Sequence, residues 1–168
     1  MKNVVDNRSG VSSTAECAGS GKGLRHFGFS ILFHLNCSGA NRIYSPIEDM
    51  CIEVMTTTKP WPKADSTCKI RGGRLIVADS ERKFNFIKTT LQESAVWRTT
   101  NYWIGLSDEP VANGIFIWSD GTRASYTNWI PGEGKSATEF CVEMVRSRDY
   151  QWNDNPCWAP LRFICEYT

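Results

Sequence analysis

Three carboxylates near the C-terminal end of the chain, Glu133, Glu139 and Asp154, are the residues whose types could do chemistry directly. A pair of carboxyl groups can serve as acid and base, or as acid and nucleophile, on a glycosidic bond. Histidine is the usual general base and a common zinc ligand, but both histidines, His26 and His34, precede residue 40. The chain also has no phosphate-cradling glycine loop and no nucleophile elbow. These absences argue against an enzyme.

Seven cysteines in 168 residues are the second chemical feature. There is no C-x-x-C pair, and the two histidines lie far from most of the cysteines, so a zinc site is disfavoured. The count favours disulfides, which form in secreted or extracellular proteins. Because an odd number of cysteines cannot all pair internally, one thiol or more is free, removed by processing, or bonded to another chain.

The overall composition is that of an ordinary globular protein, with 41% hydrophobic and 22% charged residues. A net charge of +1 gives no electrostatic reason to expect nucleic acid or an acidic membrane as a partner. No segment approaches the roughly 18 apolar residues that a membrane span needs. We therefore expect no nucleic-acid partner and no membrane span.

Tryptophan separates the chain into two regions. All seven tryptophans lie between Trp61 and Trp158, whereas the first forty residues have none and hold six of the thirteen glycines. A segment poor in large apolar side chains cannot offset its ordering entropy. We predict a flexible N-terminal extension over residues 1–40 and a folded domain over residues 41–168.

One apolar run interrupts this extension, at Phe27–Leu35. Basic residues precede it and small residues follow it, so the segment 27–40 has the parts of a secretory signal. Alternatively, the run is a first strand of the domain. Both interpretations stay open on the pattern alone.

Two helices and several short strands must position the chemical groups. Pro62 suits a first helical turn, so a helix is predicted over Trp61–Ile70, and a second over Ser80–Gln92 buries Phe84, Ile87 and Leu91 on one face. Strands are predicted at Tyr102–Leu106, Ile115–Trp118, Phe140–Val145 and Arg162–Glu166. The segment from Tyr126 to Phe140 has no regular period, and so long a loop is commonly functional or disordered. Two helices followed by an antiparallel set indicate an α+β domain.

Several short motifs follow one another along the predicted domain. They are Trp61-x-x-Ala64-x-x-x-Cys68, Gly72-Gly73-Arg74-Leu75, Trp103-Ile104-Gly105-Leu106, Phe116-Ile117-Trp118-Ser119-Asp120-Gly121, Tyr126-Thr127-Asn128-Trp129, Cys141-Val142-Glu143-Met144, Trp152-Asn153-Asp154-x-x-Cys157 and Phe163-Ile164-Cys165-Glu166. In this order the chain resembles the C-type lectin-like domain family from about Cys51 to the C-terminus. The resemblance implies an extracellular, non-enzymatic recognition module in which two helices pack on antiparallel sheets, with a long irregular ligand-binding loop and stabilising disulfides.

The family's cysteine pattern implies particular pairs. They are Cys68–Cys165, Cys141–Cys157 and, in members with an extra N-terminal hairpin, Cys37–Cys51, which leaves Cys17 unpaired. If a signal peptidase cuts after Ala40, Cys37 is lost and Cys51 becomes the odd thiol. A disulfide-linked dimer through Cys51 is then the expectation.

In sugar-binding members of the family, the long loop and the Trp-Asn-Asp strand hold a Ca²⁺ ion that coordinates the sugar. Carried over to this chain, the metal ligands are Glu133, Glu139, Asn153 and Asp154, side chains with the oxygens that Ca²⁺ prefers. Lys135 stands where the family has an amide ligand, and it has no acceptor oxygen. Gly134 replaces the family's proline.

Two interpretations of this loop follow. In the first, Lys135 turns to solvent, and a weakened Ca²⁺ site still binds a glycan, with a lean towards mannose-type sugars because Glu133 leads the motif. In the second, Lys135 lies among Glu133, Glu139 and Asp154 as a built-in cation, and the loop binds a protein without Ca²⁺. A disulfide-linked structural protein is a third hypothesis.

Two aromatic residues, Tyr150 and Trp158, flank this predicted site, and we include Tyr150 and Lys135 among the ligand-binding residues. Aromatic faces can stack on sugar rings, although core packing is the expected role of each in a small domain rich in tryptophan.

Overall fold

The computed structural model describes residues 37–108 and 114–168. The predicted signal-like run Phe27–Leu35, most of the predicted extension and Cys17 lie outside the described residues. Within them, no helix has the length and apolarity that a membrane crossing requires.

Two α-helices form where the sequence predicts them. Helix α1 spans Trp61–Ile70 with Pro62 in its first turn, and helix α2 spans Glu81–Glu93. The hydroxyl of Ser80 caps α2 by accepting a hydrogen bond from the Lys83 N–H at 3.3 Å. The buried residues of α2 are Phe84, Ile87 and Leu91, as its periodicity predicts. Short 3-10 helices cover Trp97–Thr99 and Arg146–Arg148.

Eight strands of the described residues form one sheet. They are β1 (Arg42–Ser45), β2 (Met50–Lys59), β3 (Arg74–Leu75), β4 (Tyr102–Ser107), β5 (Ile117–Trp118), β6 (Cys141–Val145), β7 (Gln151–Asn155) and β8 (Leu161–Tyr167). Their main order is β1-β2-β8-β4-β6-β7, with β3 on β8 and β5 on β4. The predicted antiparallel arrangement needs one correction, because β4 and β8 pair in parallel.

Strand β4 lies near the middle of the sheet and is buried along its whole length. Side chains alternate between the two faces of a strand, and each face of β4 packs into a different hydrophobic core. Tyr102, Ile104 and Leu106 pack into the larger core with α2, and Trp103 packs into the smaller core with residues of α1. Gly105 is required here because a Cβ would lie 2.7 Å from the Leu75 carbonyl oxygen. The tryptophan-rich motif is therefore the structural centre of the domain.

Three disulfides connect the described residues in the pairs that the resemblance implied. Cys68–Cys165 joins α1 to β8, Cys141–Cys157 joins the start of β6 to the turn after β7, and Cys37–Cys51 joins the segment before β1 to β2. The last bond fastens Cys37 to the domain, ahead of the boundary predicted at residue 41.

Candidate functional site

The long loop between β5 and β6, residues 119–140, runs over a wall of aromatic side chains. Trp152 of β7 is fully buried, and the rings of Trp118, Tyr126 and Trp129 meet it edge to face, with centroids 5.6, 5.7 and 5.8 Å away. Such edge-to-face pairs are favoured by the ring quadrupoles. Two backbone hydrogen bonds, from Ile130 N–H to the Trp152 carbonyl and from Trp152 N–H to the Asn128 carbonyl, hold the loop along β7. The first half of the loop is thus fixed on the sheet.

Asp154 holds the second half of the loop. Its side chain is 1% exposed, and its two carboxylate oxygens accept hydrogen bonds from the backbone N–H groups of Gly134 and Ser136, each at 2.9 Å. Hydrogen bonds to an ionised acceptor are about twice as strong as neutral ones. The carboxylate predicted as a metal ligand therefore bonds to the loop backbone on both sides of Lys135.

Lys135 does not act as a cation among the predicted acids. Its side chain is exposed, and within residues 37–108 and 114–168 it forms no ion pair with Glu133, Glu139 or Asp154. Gly134 has φ +81° and lies against Trp129, whose ring would be 2.8 Å from a Cβ at this position. Glycine is needed there both for the left-handed backbone and for the close approach.

The implied Ca²⁺ ligands do not fit a ready calcium site. Ca²⁺ takes six to eight oxygen ligands, but both oxygens of Asp154 already accept loop N–H groups, and Lys135 offers none. In the part of the chain that the structure describes, no three Asp, Glu, His or Cys side chains are grouped so that they could hold a metal ion.

Glu143 of β6 is a buried carboxylate that the sequence reasoning did not single out. It is 4% exposed and accepts hydrogen bonds from the side-chain amides of Asn101, Asn153 and Asn155 at 2.9 to 3.1 Å. Burial raises its pKa despite these donors, and the nearby Glu139 adds to the rise. The sequence signal for this buried carboxylate was a single glutamate inside the otherwise apolar strand Cys141–Val145.

The contacts of Glu143 fix the side chain of Asn153. The Asn153 amide nitrogen donates to Glu143, and this contact leaves the side-chain oxygen of Asn153 as an acceptor. Glu143 is thus a positioning residue for Asn153.

Asp108, at the end of β4, is a second buried carboxylate. One of its oxygens accepts a hydrogen bond from Gly114 N–H at 3.3 Å, and the other has no partner among residues 37–108 and 114–168. Burial raises the pKa of Asp108, and the charge of Asp154 raises it further. Ionisation of Asp108 is therefore less favourable in the folded protein than in the unfolded chain.

We expect Asp108→Asn to raise the free energy of unfolding by about 1 kcal/mol near neutral pH, because an unpartnered buried charge is replaced by a neutral amide. The raised pKa of Asp108 means that wild-type stability falls as pH rises from the unfolded value of the group to its folded value. The stability gained by Asp108→Asn should thus be complete above the folded pKa of Asp108 and vanish below its unfolded pKa. Urea unfolding at several pH values measures it. Asp108→Ala, which also removes the acceptor for Gly114, is the control and should not stabilise.

The two aromatic residues predicted to flank the site differ in how deeply they are buried. Tyr150 is 2% exposed and lies at the turn between β6 and β7, about 13 Å along the strand from Asp154 at 3.3 Å per residue. Tyr150 therefore lies at the end of β7 away from Asp154. Trp158 is 75% exposed and directly follows Cys157, whose disulfide reaches the end of the loop. The expectation of core packing is met by Tyr150 and is wrong for Trp158.

Comparison with known proteins places this geometry in a family. The profile of the Lectin C-type domain matches residues 57–167. C-type lectin domain family 10 member A of Rattus norvegicus is 33% identical over 128 residues, which are 71% of this chain and 38% of the relative. Asialoglycoprotein receptor 1 of Rattus norvegicus is 32% identical over 146 residues, which are 79% of this chain and 48% of the relative. This chain thus spans less than half the length of these rat relatives.

A relative of similar length is a C-type lectin of Micrurus corallinus, 32% identical over 154 residues that cover 83% of this chain and 96% of the relative. Among solved structures, human lithostathine has a TM-score of 0.69 at 25% identity, covering 78% of this chain and 99% of its own. A calcium-independent type II antifreeze protein has a TM-score of 0.66 at 27% identity, and the match covers 78% of this chain and 94% of the antifreeze protein.

C-type lectin domains are in general recognition domains without enzymatic activity. The profile match spans most of the described domain, and the fold and the three disulfides agree with it. The chain belongs to the C-type lectin family.

Proposed function

We propose that the chain is a non-enzymatic extracellular recognition module that binds a protein ligand through its long loop without Ca²⁺. The observation that carries this proposal is the pair of hydrogen bonds from Gly134 and Ser136 to Asp154. A loop that the protein's own carboxylate holds does not need a metal to order it. A binding surface that is already ordered avoids the entropy cost of ordering on binding.

The surface beside this loop offers an anchor for a protein. Trp158 exposes 75% of its surface next to the Cys141–Cys157 disulfide, and tryptophan is enriched among the residues that dominate binding energy at protein interfaces. The similar calcium-independent antifreeze protein supports the idea that this fold can act without the metal. The disulfides support an extracellular location.

Glycan binding through Ca²⁺ is the second candidate, and Asn153 favours it. Glu143 accepts a hydrogen bond from the Asn153 amide nitrogen, and such a contact orients a side chain whose oxygen could serve as a metal ligand. The name of the rat asialoglycoprotein receptor supports a glycan ligand. So does the similar carbohydrate-recognition domain of cow CD23, 30% identical, whose structure was determined in the presence of an oligosaccharide. On this alternative, Glu133 gives a lean towards mannose-type sugars.

Calorimetric titration of the protein with Ca²⁺ separates the two candidates. We expect no saturable heat up to about 10 mM Ca²⁺, well above the range of weak extracellular sites. Lys135→Asn is the matched variant, because it supplies the amide oxygen that the family motif has and leaves the Asp154 contacts in place. Saturable binding by the wild-type protein, or retention on immobilised mannose that EDTA reverses, would contradict the proposal and establish the second candidate.

A further inference from the structure

A cleft of about 360 Å³ lies at the turn of the β6–β7 hairpin, and its lining residues are Gln92, Arg98, Arg146, Ser147 and Tyr150. Val145 pairs with Gln151 next to this turn, whereas Cys141 pairs with Asn155 at the other end of the hairpin. The long loop enters β6 at that other end. The cleft is therefore a separate surface from the candidate site described above.

Two arginines that form no ion pair among the described residues give the cleft positive charge. Among the described residues, no carboxylate forms an ion pair with Arg98 or Arg146. The neighbouring acid, Asp149, is already paired with Lys88 and accepts a further hydrogen bond from the Gln92 amide. The whole chain carries a net charge of only +1, so this positive charge is local to the cleft.

The Arg146 side chain is held in a defined orientation. Its Nε donates to the Arg98 carbonyl oxygen at 2.5 Å, and its backbone N–H donates to the Asn101 side chain at 3.0 Å. With Nε engaged, the four terminal N–H groups of the guanidinium remain available as donors. A planar guanidinium presented this way matches the geometry of an oxyanion.

Tyr150 adds a buried donor to the same cleft. It is 2% exposed, and its hydroxyl has no hydrogen-bond partner within the part of the chain that the structure describes. Burial raises the pKa of Tyr150, Tyr102 and the charge of Asp149 raise it further, and the charge of Arg146 lowers it in part, so the hydroxyl keeps its proton at neutral pH. A buried polar group without a partner is uncommon and costly, and it calls for an explanation such as a ligand.

The backbone around Tyr150 is also unusual. Asp149 and Tyr150 have φ values of 56° and 63°, a left-handed conformation that residues other than glycine rarely adopt, and here two follow in succession. Strained backbone of this kind clusters at functional sites. Tyr150 is buried at this turn and lines the cleft together with Arg98 and Arg146.

We propose that this cleft binds an oxyanion, the sulfate ester of a glycan, through Arg98, Arg146 and the hydroxyl of Tyr150. The three disulfides place the domain outside the cell, where sulfate esters are common on glycans. The Ser147 hydroxyl and the Gln92 amide at the rim suit the sugar hydroxyls next to such an ester. The site stands whether or not the long loop needs Ca²⁺.

NMR titration of the isotope-labelled protein with N-acetylglucosamine 6-sulfate tests this proposal. We expect the amide signals of Arg146, Ser147 and Tyr150 to shift with a Kd on the order of a millimolar. Unmodified N-acetylglucosamine should leave those signals unchanged. The 6-phosphate ester distinguishes the source of the oxyanion and should bind no more tightly than the sulfate ester.

Three variants separate a built site from general electrostatic attraction. Arg146→Gln should weaken binding about tenfold or more, whereas Arg148→Gln, the same charge change on the same turn but outside the cleft, should alter it less than twofold. Tyr150→Phe should weaken binding several-fold while keeping or raising the melting temperature, because it removes only the unpartnered hydroxyl. Equal losses from Arg146→Gln and Arg148→Gln, binding of the unsulfated sugar, or a preference for the phosphate ester would overturn the proposal.

Discussion

Converting Cys68 and Cys165 to alanine together should lower the free energy of unfolding by about 5 kcal/mol. This disulfide links residues 97 positions apart, so in the unfolded chain it closes a loop that includes most of the domain. The loss of this restriction increases the entropy of the unfolded state. Urea unfolding of the wild-type and double-alanine proteins, monitored by tryptophan fluorescence at 25 °C, measures the difference.

The Cys37–Cys51 disulfide provides the matched control for this prediction. It links residues only 14 positions apart, and the same loop-entropy argument gives about 3 kcal/mol for its removal by a double-alanine change. Equal losses from the two double variants would show that native contacts of the cysteines, and not the length of the closed loop, determine the effect.

Asp154→Ala should release the second half of the long loop and cost about 3 kcal/mol, because two hydrogen bonds from loop N–H groups to a buried carboxylate are lost. The loss is expected to be local. Trypsin cleaves after Lys135, which lies between the two bonded N–H groups. If cleavage follows the population of the open loop, its rate at Lys135 should rise about a hundredfold. Mass spectrometry of timed digests measures that rate.

Two further variants define what the Asp154 result means. Asp154→Asn keeps one acceptor oxygen but directs an amide nitrogen at the other loop N–H, so we expect an intermediate effect. Thr138→Ala changes an exposed residue of the same loop without touching Asp154 and should leave cleavage at Lys135 within about threefold. Unchanged cleavage in Asp154→Ala would mean that the aromatic wall alone holds the loop.

The helices were predictable from the sequence because their signals are local. Pro62 marks the first turn of α1, and Ser80 marks the cap of α2, so both helices begin within one residue of the predicted positions. Strand β2 has no such signal. Its first five residues, Met50 to Val54, are all buried, so the alternation that identifies a half-buried strand is absent. The parallel pairing of β4 with β8 depends on contacts between distant residues and has no local signal either.

The candidate site was predictable as a set of residues but not as an arrangement. Asp154 lies at the loop as the resemblance implied, yet its role depends on where the backbone of Gly134 and Ser136 comes to lie. That position follows from the packing of the loop on Trp129 and Trp152, which no residue spacing encodes. Tyr150 was predicted to flank the site, but no sequence signal indicated that it would be buried in a turn where Asp149 and Tyr150 both have left-handed backbone.

The pairing of β2 with β8 has a consequence for the order of folding. Cys51 lies opposite Tyr167 in this pair, so β2 requires as its neighbour a strand that lies more than a hundred positions further along the chain. During synthesis, the centre of the sheet cannot form until β8 has emerged from the ribosome, and until then β2 has only β1 to pair with. Pairings between residues so far apart make folding slow and leave strand edges open to aggregation. Biosynthesis of this domain should therefore depend on chaperones that protect the open edge of β2 until β8 has been made.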